Sequence, residues 1–94
     1  MNKYKFPVGR IVLTEGIHEL LAEHEDDISI LDPFLTRHQI GSWGDLEEED
    51  KAENDLAVEN GSRILSAYHL YGQKIWIITE WDRSVTTVLL PSEY

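Results

Sequence analysis

The chain has 94 residues, a formal net charge of −10 and no cysteine. That length fits one domain with a modest core, and the missing thiols exclude disulfides, cysteine-ligated zinc, iron–sulfur clusters and thiol catalysis. No apolar run approaches the roughly 20 residues of a membrane span, and no signal-peptide core opens the sequence, so a cytoplasmic protein without membrane contact is expected. The acidic balance disfavours direct nucleic-acid binding, because phosphate contact needs Lys and Arg. The charge is uneven: residues 1–60 hold 15 acidic and 5 basic side chains, whereas residues 61–94 hold 3 of each. An acidic helical region followed by a neutral strand region is the organisation this predicts, within a single domain over 1–94.

In chain order, Gly9 to Thr14 predicts a first strand, with Ile11 and Leu13 on one face. Thr14 is placed to cap a helix that runs to about Glu25, with Ile17, Leu20, Leu21 and His24 on one side. Asp32-Pro33 opens a second helix, and Gly41 stops it. Asp45 and Glu48 have capping-box spacing, which predicts a third helix from Asp45 to about Glu59, closed by Asn60-Gly61. Its apolar positions are few, so it is expected on the surface. Three strands follow as a meander: Arg63 to Tyr71, Lys74 to Glu80 and Val85 to Leu90, with Gly72-Gln73 and Asp82-Arg83-Ser84 as the turns. The fold class is α+β: about three helices on a small antiparallel sheet, the C-terminal meander plus a strand near Ile11–Leu13.

Three clusters are candidates for chemistry. Asp45, Glu47, Glu48, Glu49, Asp50, Glu53, Asp55 and Glu59 surround a single lysine, Lys51. Such a helix presents a negative patch able to dock on a basic surface; the alternative is a solvated face that keeps the protein soluble. The segment lacks the Asp/Asn/Gly alternation of a calcium loop. His18, His24, His38 and His69 show no zinc-ligand spacing, so no metal or other cofactor is expected. Arg37-His38 beside Trp43 predicts either a small pocket or a helix-end interaction. Thr79 to Thr87 packs carboxylates, a guanidinium and hydroxyls into a strand–turn–strand. It is either a polar hairpin with alternate Thr residues facing water, or, with His69, Arg83 and Thr86, a site for phosphodiester chemistry.

Trp43-Gly44-Asp45-Leu46, Glu53-Asn54, Arg63-Ile64-Leu65-Ser66-Ala67-Tyr68, Lys74-Ile75-Trp76-Ile77-Ile78-Thr79-Glu80 and the run from Asp82 to Tyr94 resemble a family of short proteins. That family is carried by bacterial plasmids, phages and integrative elements. The likeness covers nearly the whole chain, including Phe6-Pro7, and is most specific at the C-terminus; Glu25 to Leu31 departs from it, being longer and more acidic. The resemblance implies a mobile-element accessory protein and brings no catalytic residue with it. Helices followed by a meander also resemble small RelE- and barnase-like ribonucleases at the level of fold alone; those enzymes bring basic surfaces to RNA.

The expected function is therefore non-enzymatic: an anti-defence inhibitor, of anti-restriction or anti-CRISPR type, that occupies a basic surface of a host protein, one that normally holds nucleic acid. The carboxylates from Asp45 to Glu59 would supply the charge, and Trp43, Trp81 and Tyr94, if exposed, the apolar anchors. A small ribonuclease using His69, Arg83 and Thr86 is the first alternative. A homodimeric accessory protein that pairs through an exposed strand is the second.

Overall fold

The computed structural model describes residues 3–94. Four strands form one mixed sheet in the order β1-β4-β3-β2: β1 (Arg10–Leu13), β2 (Ile64–Leu70), β3 (Gln73–Thr79) and β4 (Val85–Leu89). The expected meander is present, with β2–β3 and β3–β4 antiparallel. The early strand joins it beside β4 and runs parallel to it, Ile11 opposite Thr86 and Leu13 opposite Val88. Three helices, α1 (Glu15–Glu23), α2 (Asp32–Gln39) and α3 (Glu48–Asn60), complete an α+β fold. Among the described residues, no helix is long and apolar enough to cross a membrane.

The registers place Ile64, Ser66, Tyr68, Leu70, Ile75, Ile77, Thr79, Thr86 and Val88 on one face of the sheet, and this face is buried. Helix α1 covers it with Ile17, Leu20 and Leu21, and α2 adds Phe34 and Leu35. A second cluster of Phe6, Trp43, Ala57 and Ile64 closes the end of the same layer. The opposite face carries Ala67, Ile78 and Leu89, which are buried, and Leu65, Trp76 and Thr87, which are half-buried, and none of α1, α2 and α3 lies across its centre. The C-terminal residues fold back there, setting Tyr94 against Trp76 with ring centroids 5.6 Å apart.

Several boundaries differ from the expectation, each for a local reason. Helix α1 ends at Glu23, two residues early. Glu25 turns left-handed (φ 55°), its N–H bonds the Ala22 carbonyl and the Asp26 N–H bonds that of Leu21, the pattern of a Schellman stop without its usual glycine. His24 therefore leaves the apolar stripe and stacks flat on Tyr71 at 3.6 Å. The β2–β3 turn is Tyr71-Gly72, one residue earlier than expected; both have positive φ, as a two-residue hairpin turn of matching twist requires. Thr14 sits at the start of α1 but makes no side-chain cap. The cap comes from the other end of the chain: Glu93 accepts from the Gly16 N–H at 2.8 Å and from the Thr14 hydroxyl at 2.6 Å. A carboxylate there offsets the unpaired amides and the positive end of the helix, and the Thr14 hydroxyl, a further bond from the Leu90 N–H at 2.9 Å and the Gly16 N–H hold the Glu93 carboxyl below the usual carboxylate range.

Helix α3 starts at Glu48 rather than Asp45. Residues 43–45 are taken by the outer edge of β2: the Ala67 N–H donates to the Trp43 carbonyl at 3.1 Å, and the Asp45 N–H donates to the Ala67 carbonyl at 2.7 Å. The expected Asp45–Glu48 capping box is thus absent, and Glu47 stands at the N-cap without a side-chain bond. Farther along the edge, Asn54 of α3 closes the gap with its amide. Its Nδ2 donates to the Leu65 carbonyl at 2.7 Å, and its Oδ1 accepts from the Leu65 N–H at 3.3 Å. The side chain imitates one residue of a neighbouring strand, so the polar groups of Leu65 and Ala67 on this edge all have partners.

Candidate functional site

The carboxylates singled out in the sequence do lie together on and beside α3, but they do three different things. Asp55 accepts from the Trp43 indole at 3.0 Å and so ties α3 to the core. Asp45 pairs with Lys74 at 3.4 Å and with His69 at 3.7 Å. Glu48 lies 3.5 Å from Lys51. The rest form no ion pair among the described residues: Glu49 on the same side of the helix as the exposed Leu56, Glu59 in a shallow pocket with Lys5, Asp55 and Val58, and Glu47, Asp50 and Glu53 along the side turned toward the sheet. Their three-residue spacing puts these last side chains in one row.

That row forms one wall of a groove of about 500 Å³. Leu46, Leu65 and the half-buried Trp76 make its apolar floor, and Lys74, held by Asp45, its far rim. Asp45 also separates this groove from a second, more basic cleft of about 630 Å³, which Arg37, Ser42, Lys51, Tyr68 and His69 line. There the Arg37 guanidinium lies 4.5 Å above the Tyr68 ring, a cation–π contact that fixes both side chains.

The three expected anchors separate. Trp81 projects from the β3–β4 connection, 68% exposed. Tyr94 is equally exposed, but Arg63 donates to its hydroxyl at 2.6 Å and its ring packs on Trp76, so it covers the open sheet face. Trp43 is 4% exposed and cannot serve as an anchor. The pairing of residues 43–45 with β2 turns the indole inward, against Phe6 and His38. Gly44 is what permits that pairing: its φ is 84°, and a Cβ there would lie 1.9 Å from the Ala67 carbonyl oxygen.

The Thr79–Thr87 cluster is not a water-facing hairpin throughout. Asp82 accepts from the Ser84 N–H and hydroxyl and caps the turn as expected. Thr79 and Thr86, however, are fully buried and join a chain of polar groups centred on His38, itself 0% exposed. Thr86 donates to the Val8 carbonyl at 2.8 Å. Its oxygen must then accept from Thr79 (2.6 Å), Thr79 from His38 Nε2 (2.8 Å), and His38 Nδ1 from Ser66 (2.6 Å). One tautomer, with the proton on Nε2, satisfies every member. Burial, with the Arg83 charge as a smaller cause, lowers the imidazole pKa to about 3, so it is neutral. Of the expected Arg37-His38 pair, Arg37 does line a cleft with Trp43, whereas His38 belongs to this buried network, because its side of α2 faces the sheet. The sequence carried a signal for it: Ser66, Thr79 and Thr86 occupy inward positions of three strands otherwise filled by Ile, Val and Tyr.

His69, Arg83 and Thr86 are not brought together. His69 is exposed on the open face of β2, and Thr86 lies inside under the helices. Arg83 donates to the carbonyls of Ala57, Ser62 and Glu80, binding the end of α3 to the β3–β4 turn. Among the described residues, no group of three or more His, Asp and Glu is placed to hold a metal ion. Comparison with protein-family models, curated proteins and solved structures finds no match to this chain.

Proposed function

We propose that this domain is a non-enzymatic binding module whose α3 flank docks on a basic surface of another protein, as an anti-defence inhibitor of a mobile element would. The observation that carries this reading is the segregation of charge. Residues 47–59 hold seven carboxylates against Lys51 alone, and among the described residues five of the seven have neither an ion pair nor a side-chain hydrogen bond. Like charges at helical spacing cost a few tenths of a kcal/mol per pair; the positive end of α3 offsets this for Glu47, Glu49 and Asp50 in and beside the first turn, but not for Glu53 and Glu59. A basic partner would remove that repulsion. Opposite charge would also steer the encounter and raise the association rate, with affinity falling as salt screens the attraction. The exposed Leu56, on α3 itself, offers apolar contact beside the charge.

The test is affinity capture from cells at low and high salt, with the captured protein identified and its binding then measured in purified form. Reversing Glu47, Glu48 and Glu53 to Lys is expected to abolish binding. Undiminished binding by the reversed protein would overturn the reading.

A further inference from the structure

We propose that the groove between α3 and the open face of the sheet is where the partner's basic segment sits, and that it takes an arginine or lysine side chain lengthwise over Trp76. This rests on the functional reading above and names its site. Exposed charge on a convex helix attracts a basic surface without selecting any part of it. The groove differs because it joins two chemistries. Glu47, Asp50 and Glu53 form an acidic row along one wall, and none of them has a Lys or Arg partner among the described residues. Leu46, Leu65 and Trp76 form the floor at their feet. Long basic side chains have the matching construction, an apolar stem that prefers apolar contact and a cationic head that does not. A guanidinium adds a planar donor fork for the carboxylates and attraction to the indole.

The fold keeps the groove open. Asn54 holds α3 against the β2 edge by its bonds to Leu65, Asp45 draws Lys74 to the far rim, and Tyr94 packs on Trp76. Two of the groove's charged groups, Asp45 and Lys74, therefore neutralise one another, and the acidic row is left with a net negative charge. An isolated arginine would gain little from this; an arginine next to an apolar residue in an extended segment would gain from both wall and floor.

The test uses two fluorescent peptides of equal charge, one alternating Arg with Leu and one alternating Arg with Gly, titrated by anisotropy against the full chain. The Arg-Leu peptide is expected to bind about tenfold more tightly, since its apolar residues use the floor. Asp50→Asn with Glu53→Gln should weaken it about tenfold, and Glu49→Gln with Glu59→Gln, which removes the same charge from outside the groove, by less than about threefold. The Trp76 indole N–H resonance should move on peptide addition, and that of Trp81 should not. Equal weakening by the two double variants, or an unmoved Trp76 signal, would overturn the groove and leave the wider acidic-surface reading standing. Failure of the unaltered protein to bind either peptide, together with undiminished capture by the charge-reversed protein, would remove both.

Discussion

Acid should unfold this protein earlier than its carboxylates alone dictate, and His38 is the cause. The imidazole is fully buried, and every neighbouring hydroxyl is already committed to a bond of fixed direction. A second ring proton would place a charge in a fully buried site with Arg83 close by, and the Ser66 hydroxyl would have to give up its bond to Nδ1. The folded state therefore keeps the ring neutral down to about pH 3, whereas the unfolded chain takes up the proton near the ordinary 6.5. Between those values the unfolded state binds more protons, so unfolding free energy falls as pH falls, by about 1.4 kcal/mol per pH unit for one site. Over the whole window the loss is of the order of 5 kcal/mol, against a total stability of roughly 5–14 kcal/mol for a domain of this length.

The assay is urea unfolding in small pH steps from 7 to 4, comparing the natural protein with His38→Gln. The amide of Gln does not titrate and keeps one donor and one acceptor. The natural protein should lose about 1.4 kcal/mol per pH unit more than the variant below pH 6. Glu93, Asp27 and Asp82, whose carboxyls hydrogen bonds hold low, also lose stability as pH falls, but equally in both proteins. Ring nitrogen shifts of the natural protein give a second measurement that does not depend on the variant's folding. They should show the Nε2–H tautomer persisting below pH 4. A His38 titration near 6.5, or parallel pH slopes for the two proteins, would refute the account of the buried network.

Three further outcomes test the edges of the fold. Gly44→Ala forces a Cβ into the Ala67 carbonyl and should destabilise the domain by about 3 kcal/mol or more, seen as a lower urea midpoint and as loss of amide protection at Ala67. Asn54→Ala leaves the Leu65 N–H and C=O without partners and should cost about 2 kcal/mol; by exposing the β2 edge, it should also raise the tendency to self-associate in sedimentation. Glu93→Gln weakens the cap on α1 and should lower the melting temperature. The difference from the natural protein should be present at neutral pH and vanish as pH falls through the Glu93 carboxyl's lowered pKa, because that carboxylate stabilises only while ionised.

Strands and helices were legible where the information is local. Strand residues Ile75 to Ile78 and Val85 to Leu89 declare themselves by β-branched and aromatic content. Asp32-Pro33 and Asn60-Gly61 mark helix ends through backbone preferences that operate within a few residues. The clustering of carboxylates on α3 is likewise fixed by spacing along one chain segment. The roles of those carboxylates needed the tertiary structure. Whether Asp55 serves an indole, Asp45 a lysine, and Glu47, Asp50 and Glu53 a groove depends on what stands opposite, and each opposing residue comes from another part of the chain.

The same distinction explains the errors. Asp45–Glu48 has the spacing of a capping box, but an edge strand with unpaired amides competed for the Asp45 backbone and prevailed. Thr14 is a good cap by type, yet its helix is capped by Glu93 from the opposite end of the chain. In isolation Trp43 reads as an anchor if exposed and His38 as part of a small pocket or a helix end, and only the approach of Gly44 to β2 and of α2 to the sheet buries them. Periodicity and turn chemistry belong to neighbours in sequence, and the sequence settled them. Hydrogen-bond satisfaction and burial belong to neighbours in space, and only the assembled sheet and its three helices decided those.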